Sequence, residues 1–130
     1  MTTLKIHDGD PNGHLAFGLK EILALIRPSS DGAEWEIDHA SEEFWATGED
    51  VRGIEALVGS GKRVSGEALL SLVDGLHQVI WGEFRAFDGS DTRPWVTVRA
   101  IDSSYFDIET NDDMIVNLVR RHCNNVQSAG

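Results

Sequence analysis

The chain has 130 residues, of which 41% are hydrophobic and 25% are charged, and its formal net charge is −11. This length predicts a single domain over residues 1–130, and this composition is that of a globular protein rather than a disordered chain. The strong negative charge argues against DNA, RNA and anionic membrane surfaces as partners, because those ligands favour proteins rich in Lys and Arg.

Cysteine content and hydropathy bear on the cellular compartment. Cys123 is the only cysteine, so no intramolecular disulfide can form, and this usage is expected in a reducing compartment. No stretch approaches the roughly 20 apolar residues of a transmembrane helix. Residues 1–10 lack the apolar segment of a signal peptide. We therefore expect a cytoplasmic protein that does not engage a membrane.

The first third of the chain predicts a helix followed by a hairpin. Leu4 to Ile6 is either a short strand or a loose end, and residues 8–13 are dense in turn formers. Apolar residues at helical spacing then predict a helix that Pro28 ends. From Glu34 to His39 apolar and polar residues alternate, which predicts a strand with one buried and one acidic face. Glu43 to Ala46 is the candidate partner strand.

The rest of the chain predicts two short helices, three strands and a final helix. Val51 to Val58 and a segment capped by Ser65 carry apolar residues at helical spacing. Thr110 or Asn111 is expected to cap the last helix, and residues 124–130 are expected to form a frayed tail. The three strands form an antiparallel meander, and they are Val79 to Phe87, Trp95 to Ile101 and Tyr105 to Glu109.

Together these segments predict an α+β fold. The elements follow the order α-β-β-α-α-β-β-β-α. An antiparallel sheet of four to five strands would then carry its helices on one face, because the alternating strands have a single apolar face to bury. The second face of the sheet would contact water.

Three local patterns come close to ligand sites, and each lacks a residue that the site needs. Gly59 to Lys62 is followed by Arg63, where a phosphate loop needs Ser or Thr. Residues 8–13 match the first half of a calcium loop, but the twelfth position is Leu19 rather than Glu. The five histidines contain no i, i+4 pair of the kind found in helical metal sites. We therefore predict neither cofactor nor metal, and whether the 8–13 turn binds calcium stays open.

The acidic residues are concentrated in two blocks without Lys or Arg. Eight lie between Pro28 and Val51, and five lie between Arg99 and Arg120. Aromatic residues lie among them, and exposed aromatics beside charge are the usual composition of a protein-binding hot spot. The residues predicted to bind a partner are Glu34, Glu36, Asp38, Glu42, Glu43, Trp45, Asp107 and Glu109.

This charge pattern predicts a non-enzymatic protein that masks a basic protein partner. Acidic side chains can mimic the phosphates of a nucleic acid and accelerate association with a cationic enzyme. In size and charge the chain resembles small acidic immunity proteins, which implies an inhibitor of a nuclease toxin. The resemblance is one of class, since no motif ties the chain to one of those families.

Two alternatives stay open. The first is a homo-oligomeric accessory domain, for instance a homodimer, that pairs through the strand face of Trp95, Thr97 and Arg99. The second is an enzyme whose site is not readable from local motifs. Glu36 and Asp38 share a strand face, but the alternation places them on the face that contacts water. Both carboxylates are expected to ionise there, whereas acid–base catalysis needs a pair with different pKa values.

Overall fold

A computed structural model describes residues 2–7, 19–30, 33–39, 43–48, 51–88, 92–101, 105–123 and 126–128. The 8–13 turn, with its open question of calcium, lies outside the described residues. Glu42, one of the predicted partner-binding residues, lies outside them as well.

Within the described residues, eight strands form one antiparallel sheet. The strands are β1 (Thr2–Ile6), β2 (Glu34–Asp38), β3 (Trp45–Gly48), β4 (Val64–Ser65), β5 (Leu76–Phe87), β6 (Val96–Ile101), β7 (Tyr105–Thr110) and β8 (Val126–Ser128). Their order across the sheet is β4-β2-β5-β6-β7-β1-β8, and β3 also pairs with β5. The helices are α1 (Leu19–Ser30), α2 (Val51–Glu55), α3 (Gly66–Asp74) and α4 (Asp113–His122).

The chain combines helices with an antiparallel sheet, as an α+β fold does, but the prediction of four to five strands is wrong. The predicted element order omits β1, β4 and β8. β4 and β8 contain two and three residues, which is too short to show a period of two. β1 lies between β7 and β8, where Leu4 and Ile6 are fully buried. β8 comes from the tail that we expected to be frayed.

One face of the sheet is apolar and carries the helices. The strand registers align Ile37, Phe84, Val98, Ile108 and Leu4 in one row across five strands, and each is at most 2% exposed. A slip of one residue would turn every one of these side chains toward water, so burial fixes the register. The helices complete the same core with Ile22, Ile26, Leu69, Ile115 and Val119.

Local chemistry accounts for the helix ends. The Ser65 hydroxyl accepts a 3.1 Å hydrogen bond from the third residue of α3, which confirms the predicted cap. Asp112 caps α4, one residue later than expected. Pro28 does not end α1, which continues to Ser30, because a helix held by its buried stripe tolerates one lost hydrogen bond in its last turn. None of the described helices is long and apolar enough to cross a bilayer.

We expect Leu4→Ala to lower the free energy of unfolding by about 2–5 kcal/mol, because it leaves a cavity at a fully buried position on the apolar face of the sheet. Thr3→Ala, on the opposite face of β1, is the matched control and should cost less than about 1 kcal/mol. Urea denaturation followed by tryptophan fluorescence measures both values. Equal small costs would contradict the placement of β1 inside the sheet.

Candidate functional site

The second face of the sheet is built around an arginine on its central strand. Arg99 of β6 donates hydrogen bonds to Glu83 of β5 at 2.6 Å and to Glu109 of β7 at 3.0 Å. Burial alone would lower the pKa of Arg99, but the hydrogen bonds to the two carboxylates outweigh it and raise that pKa above its ordinary value. The guanidinium therefore stays charged and ties three strands together.

Similar ion pairs flank Arg99 on both sides. A hydrogen bond to Asp107 raises the pKa of Lys5 above its ordinary value, so that amine also stays protonated at neutral pH. The flanking pairs are Arg85–Asp38 at 3.1 Å, Arg63–Glu36 at 3.4 Å and Lys5–Asp107 at 3.0 Å. We call these nine side chains the charged face: Lys5, Glu36, Asp38, Arg63, Glu83, Arg85, Arg99, Asp107 and Glu109.

The charged face is nearly neutral, although four of its five acids come from the acid-only blocks of the sequence. It contains five carboxylates and four cations, which leaves a formal charge of −1, and each side chain is at most 31% exposed. Four of the predicted partner-binding residues, Glu36, Asp38, Asp107 and Glu109, belong to it. Their charges are compensated within the fold, so they contribute little to a negative field. Glu34 is exposed at the start of β2 and makes no ion pair with a described residue.

Trp95, the residue predicted at an oligomer interface, lies one residue before β6 and is half-buried against the core. Its indole N–H donates a 3.1 Å hydrogen bond to Asp112, the cap of α4. Thr97 on the same predicted face is 4% exposed, and Arg99 is held in ion pairs. The structure thus gives each of these three side chains contacts within the chain.

A cluster of aromatic residues lies where β3 pairs with the first half of β5. Trp45 is 58% exposed and pairs with Trp81 across the two strands. The pairing then moves from Trp81 to Val79 and leaves Ile80 without a partner in β3, which is the pattern of a β-bulge. We call Phe44, Trp45 and Trp81 the aromatic surface. Bulges redirect side chains and are common beside binding sites.

Two adjoining grooves share Glu43 and Phe44 as their common wall. The first has a volume of about 790 Å³ and is lined by these two residues with Trp45 and Trp81. The second, which we call the acidic groove, has a volume of about 320 Å³. Its lining residues are His39, Glu43, Phe44, Glu55 and Val58.

Phe44 owes its position to a glycine in β5. Its ring contacts Phe84 edge-on, with ring centroids 6.4 Å apart, and it packs over Gly82. A Cβ at Gly82 would come within 2.9 Å of the ring and 3.2 Å of Val79. Only glycine therefore lets the ring approach the strand so closely, and the shared wall of the two grooves depends on that approach.

The acidic groove differs from the charged face in its electrostatics. Glu43 and Glu55 are exposed, and neither forms an ion pair with a described residue. Two carboxylates without ion pairs to described residues therefore line a groove with the ring of Phe44, and carboxylates beside an aromatic ring can bind a cation through ion pairing and cation–π contact. Within the described part of the chain, no group of three or more His, Cys, Asp and Glu side chains could hold a metal ion.

The sequence predicted part of this site. Glu43 and Trp45 were predicted to bind a partner and lie at the two grooves, whereas Trp81, Glu55 and His39 were not predicted. Trp81 was detectable as one of four tryptophans. Its position opposite Trp45 depends on the pairing of β3 with β5, for which a single sequence carries no local signal.

No family model, curated protein or solved structure matches this chain.

We expect Arg99→Met to lower the free energy of unfolding by about 1–3 kcal/mol, because it leaves two half-buried carboxylates without their shared cation. Arg93→Met, which removes an exposed arginine outside the charged face, should leave stability almost unchanged. Guanidinium denaturation of both variants tests this expectation. Equal effects would show that the charged face does not stabilise the sheet.

We expect Gly82→Ala to cost about 1–3 kcal/mol of stability by forcing Phe44 and Val79 apart. A double-mutant cycle with Phe44→Ala separates the two clashes: the alanine at position 82 should cost less once the phenyl ring is gone. Thermal unfolding of the four proteins measures the coupling. Full additivity would mean that Gly82 does not position Phe44.

Proposed function

We propose that this protein is a non-enzymatic binding protein that masks a basic protein partner, and that it binds this partner through the aromatic surface and the adjoining acidic groove. The observation that carries the proposal is Trp45. This side chain is 58% exposed, pairs with Trp81, and lies beside Glu43, whose carboxylate forms no ion pair with a described residue.

The aromatic surface supplies the apolar part of the binding energy. A tryptophan buries about 150–250 Å² when it is covered, and tryptophan is among the residues most often found at the centre of an interface. The hydrophobic core includes side chains of α1, α3 and α4, and Trp45 is not part of it. Trp45 is therefore free to be covered by a partner without any change in the packing of the core.

Electrostatics supplies the preference for a basic partner. The chain has a net charge of −11, and the charged face accounts for only −1 of it. The remaining negative charge is carried by other acids, including Glu43 and Glu55, and it attracts a cationic protein over long range. A nuclease is such a protein, because it binds phosphates with Lys and Arg. An immunity-type inhibitor of a nuclease toxin, acting in the cytoplasm, is the specific form of this proposal.

A pull-down from lysate of the native organism tests this function. The immobilised protein is loaded at low salt, eluted with a salt gradient and read by mass spectrometry. We expect one basic protein to elute at a defined salt concentration. Trp45→Ala should weaken its binding at least about thirtyfold, as loss of a central tryptophan does. Met114→Ala is the matched control, because Met114 is 61% exposed on α4 and should leave binding unchanged.

Three results would contradict the proposal: no basic protein in the eluate, a partner whose binding survives Trp45→Ala, or an affinity that does not change with salt. Self-association as the only interaction would favour the homo-oligomeric accessory domain instead. Analytical ultracentrifugation of the purified chain over a hundredfold range of concentration identifies that result independently of any partner.

A further inference from the structure

We propose that the acidic groove binds the guanidinium group of an arginine side chain of the partner. This inference rests on the proposed function, and it names the chemical group that this part of the site recognises. The groove brings together Glu43, which precedes β3, and Glu55, the last residue of α2. Both carboxylates are exposed and make no ion pair with a described residue. A cation in this groove would contact two carboxylates that form no ion pair with the cations of the described residues.

The size and lining of the groove suit one long side chain. Its volume of about 320 Å³ lies at the small end of the range for ligand pockets. Val58 and the ring of Phe44 offer apolar surface for an aliphatic stem, while Glu43 and Glu55 offer acceptors for its charged end. This combination is a poor match for a phosphate or a carboxylate ligand.

Within the same chain, an arginine is already held by a carboxylate and a phenyl ring. The guanidinium of Arg63 lies 4.0 Å from the centre of the Phe87 ring, and its Nε lies 3.4 Å from Glu36. Arginine suits such a site better than lysine, because its planar group stacks on a ring and binds carboxylates through paired donors. The acidic groove presents the same two kinds of group, Phe44 with Glu43 and Glu55, to an arginine from outside.

The wall shared by the two grooves determines which residues of the partner lie next to the bound arginine. Glu43 and Phe44 line both grooves, so the residues next to a bound arginine would reach Trp45 and Trp81. Contact of these rings with large apolar side chains buries apolar surface, which favours binding. The recognised segment is therefore an arginine with large apolar neighbours.

A capped tripeptide with arginine between two leucines is the probe for this inference, compared with peptides that carry lysine or neutral citrulline in its place. Binding is followed by ¹H–¹⁵N NMR of the full chain. We expect the arginine peptide to shift the indole signals of Trp45 and Trp81. It should also bind at least about tenfold more tightly than the citrulline peptide, the equivalent of one charge-assisted hydrogen bond, and more tightly than the lysine peptide.

A pair of double variants isolates the two carboxylates. Glu43→Gln with Glu55→Gln should abolish the difference between the arginine and citrulline peptides. Glu67→Gln with Asp88→Asn removes the same amount of charge from exposed positions outside the grooves, and it should preserve that difference. Equal affinity for all three peptides, or an equal loss in both double variants, would overturn the inference.

The outcomes separate this inference from the proposed function. If a basic partner depends on Trp45 but the arginine peptide fails, the function stands and the arginine assignment falls. If the arginine peptide binds as expected but no basic partner elutes from lysate, the assignment of the groove stands and the function falls.

Discussion

The ion pairs of Arg99 with Glu83 and Glu109 are the interaction on which the outer side of this sheet depends. Opposite charges on neighbouring strands stabilise a sheet, and β5 and β7 each place a carboxylate next to Arg99 of β6. The arginine forms hydrogen bonds with both carboxylates, and these bonds link three strands. Arg85 and Lys5 repeat the arrangement to either side. The sheet therefore has one face closed by helices and another whose charges are compensated within the chain.

Because one face is covered by helices and the other is compensated in charge, the binding site that we propose lies in the irregular part of the sheet. Where β3 meets β5, the pairing passes over Ile80, Gly82 admits the ring of Phe44, and Trp45 stays exposed. Glu43 lies next to these rings without an ion pair to any described residue. The regular strands thus supply stability, and the bulged strand pair supplies the surface that we propose for a cationic partner.

Local patterns in the sequence predicted the parts of the fold that depend on local periodicity. Alternation identified β2 with Trp35 buried, and helical spacing together with the Ser65 cap identified α3. Charge pairing could not be predicted in this way. Lys5 and Arg85 lie 102 and 47 residues from the acids they bind, so an acid-only block in the sequence became a neutral face in space. Trp45 could be predicted as a binding residue because it lies within an acid-only block of the sequence. Its neighbour Trp81 could be assigned to the same surface only from the pairing of β3 with β5.

Hydroxyl-radical footprinting of the protein, free and bound to the proposed basic partner, shows most directly whether the partner covers Trp45. Trp45 and Met114 are the two large apolar side chains that are exposed among the described residues, and both oxidise readily, so each serves as a reference for the other. We expect the partner to protect Trp45 from oxidation and to leave Met114 unchanged. Protection of Met114 with Trp45 still fully reactive would contradict this expectation, because the partner would then bind at α4 and not at the aromatic surface.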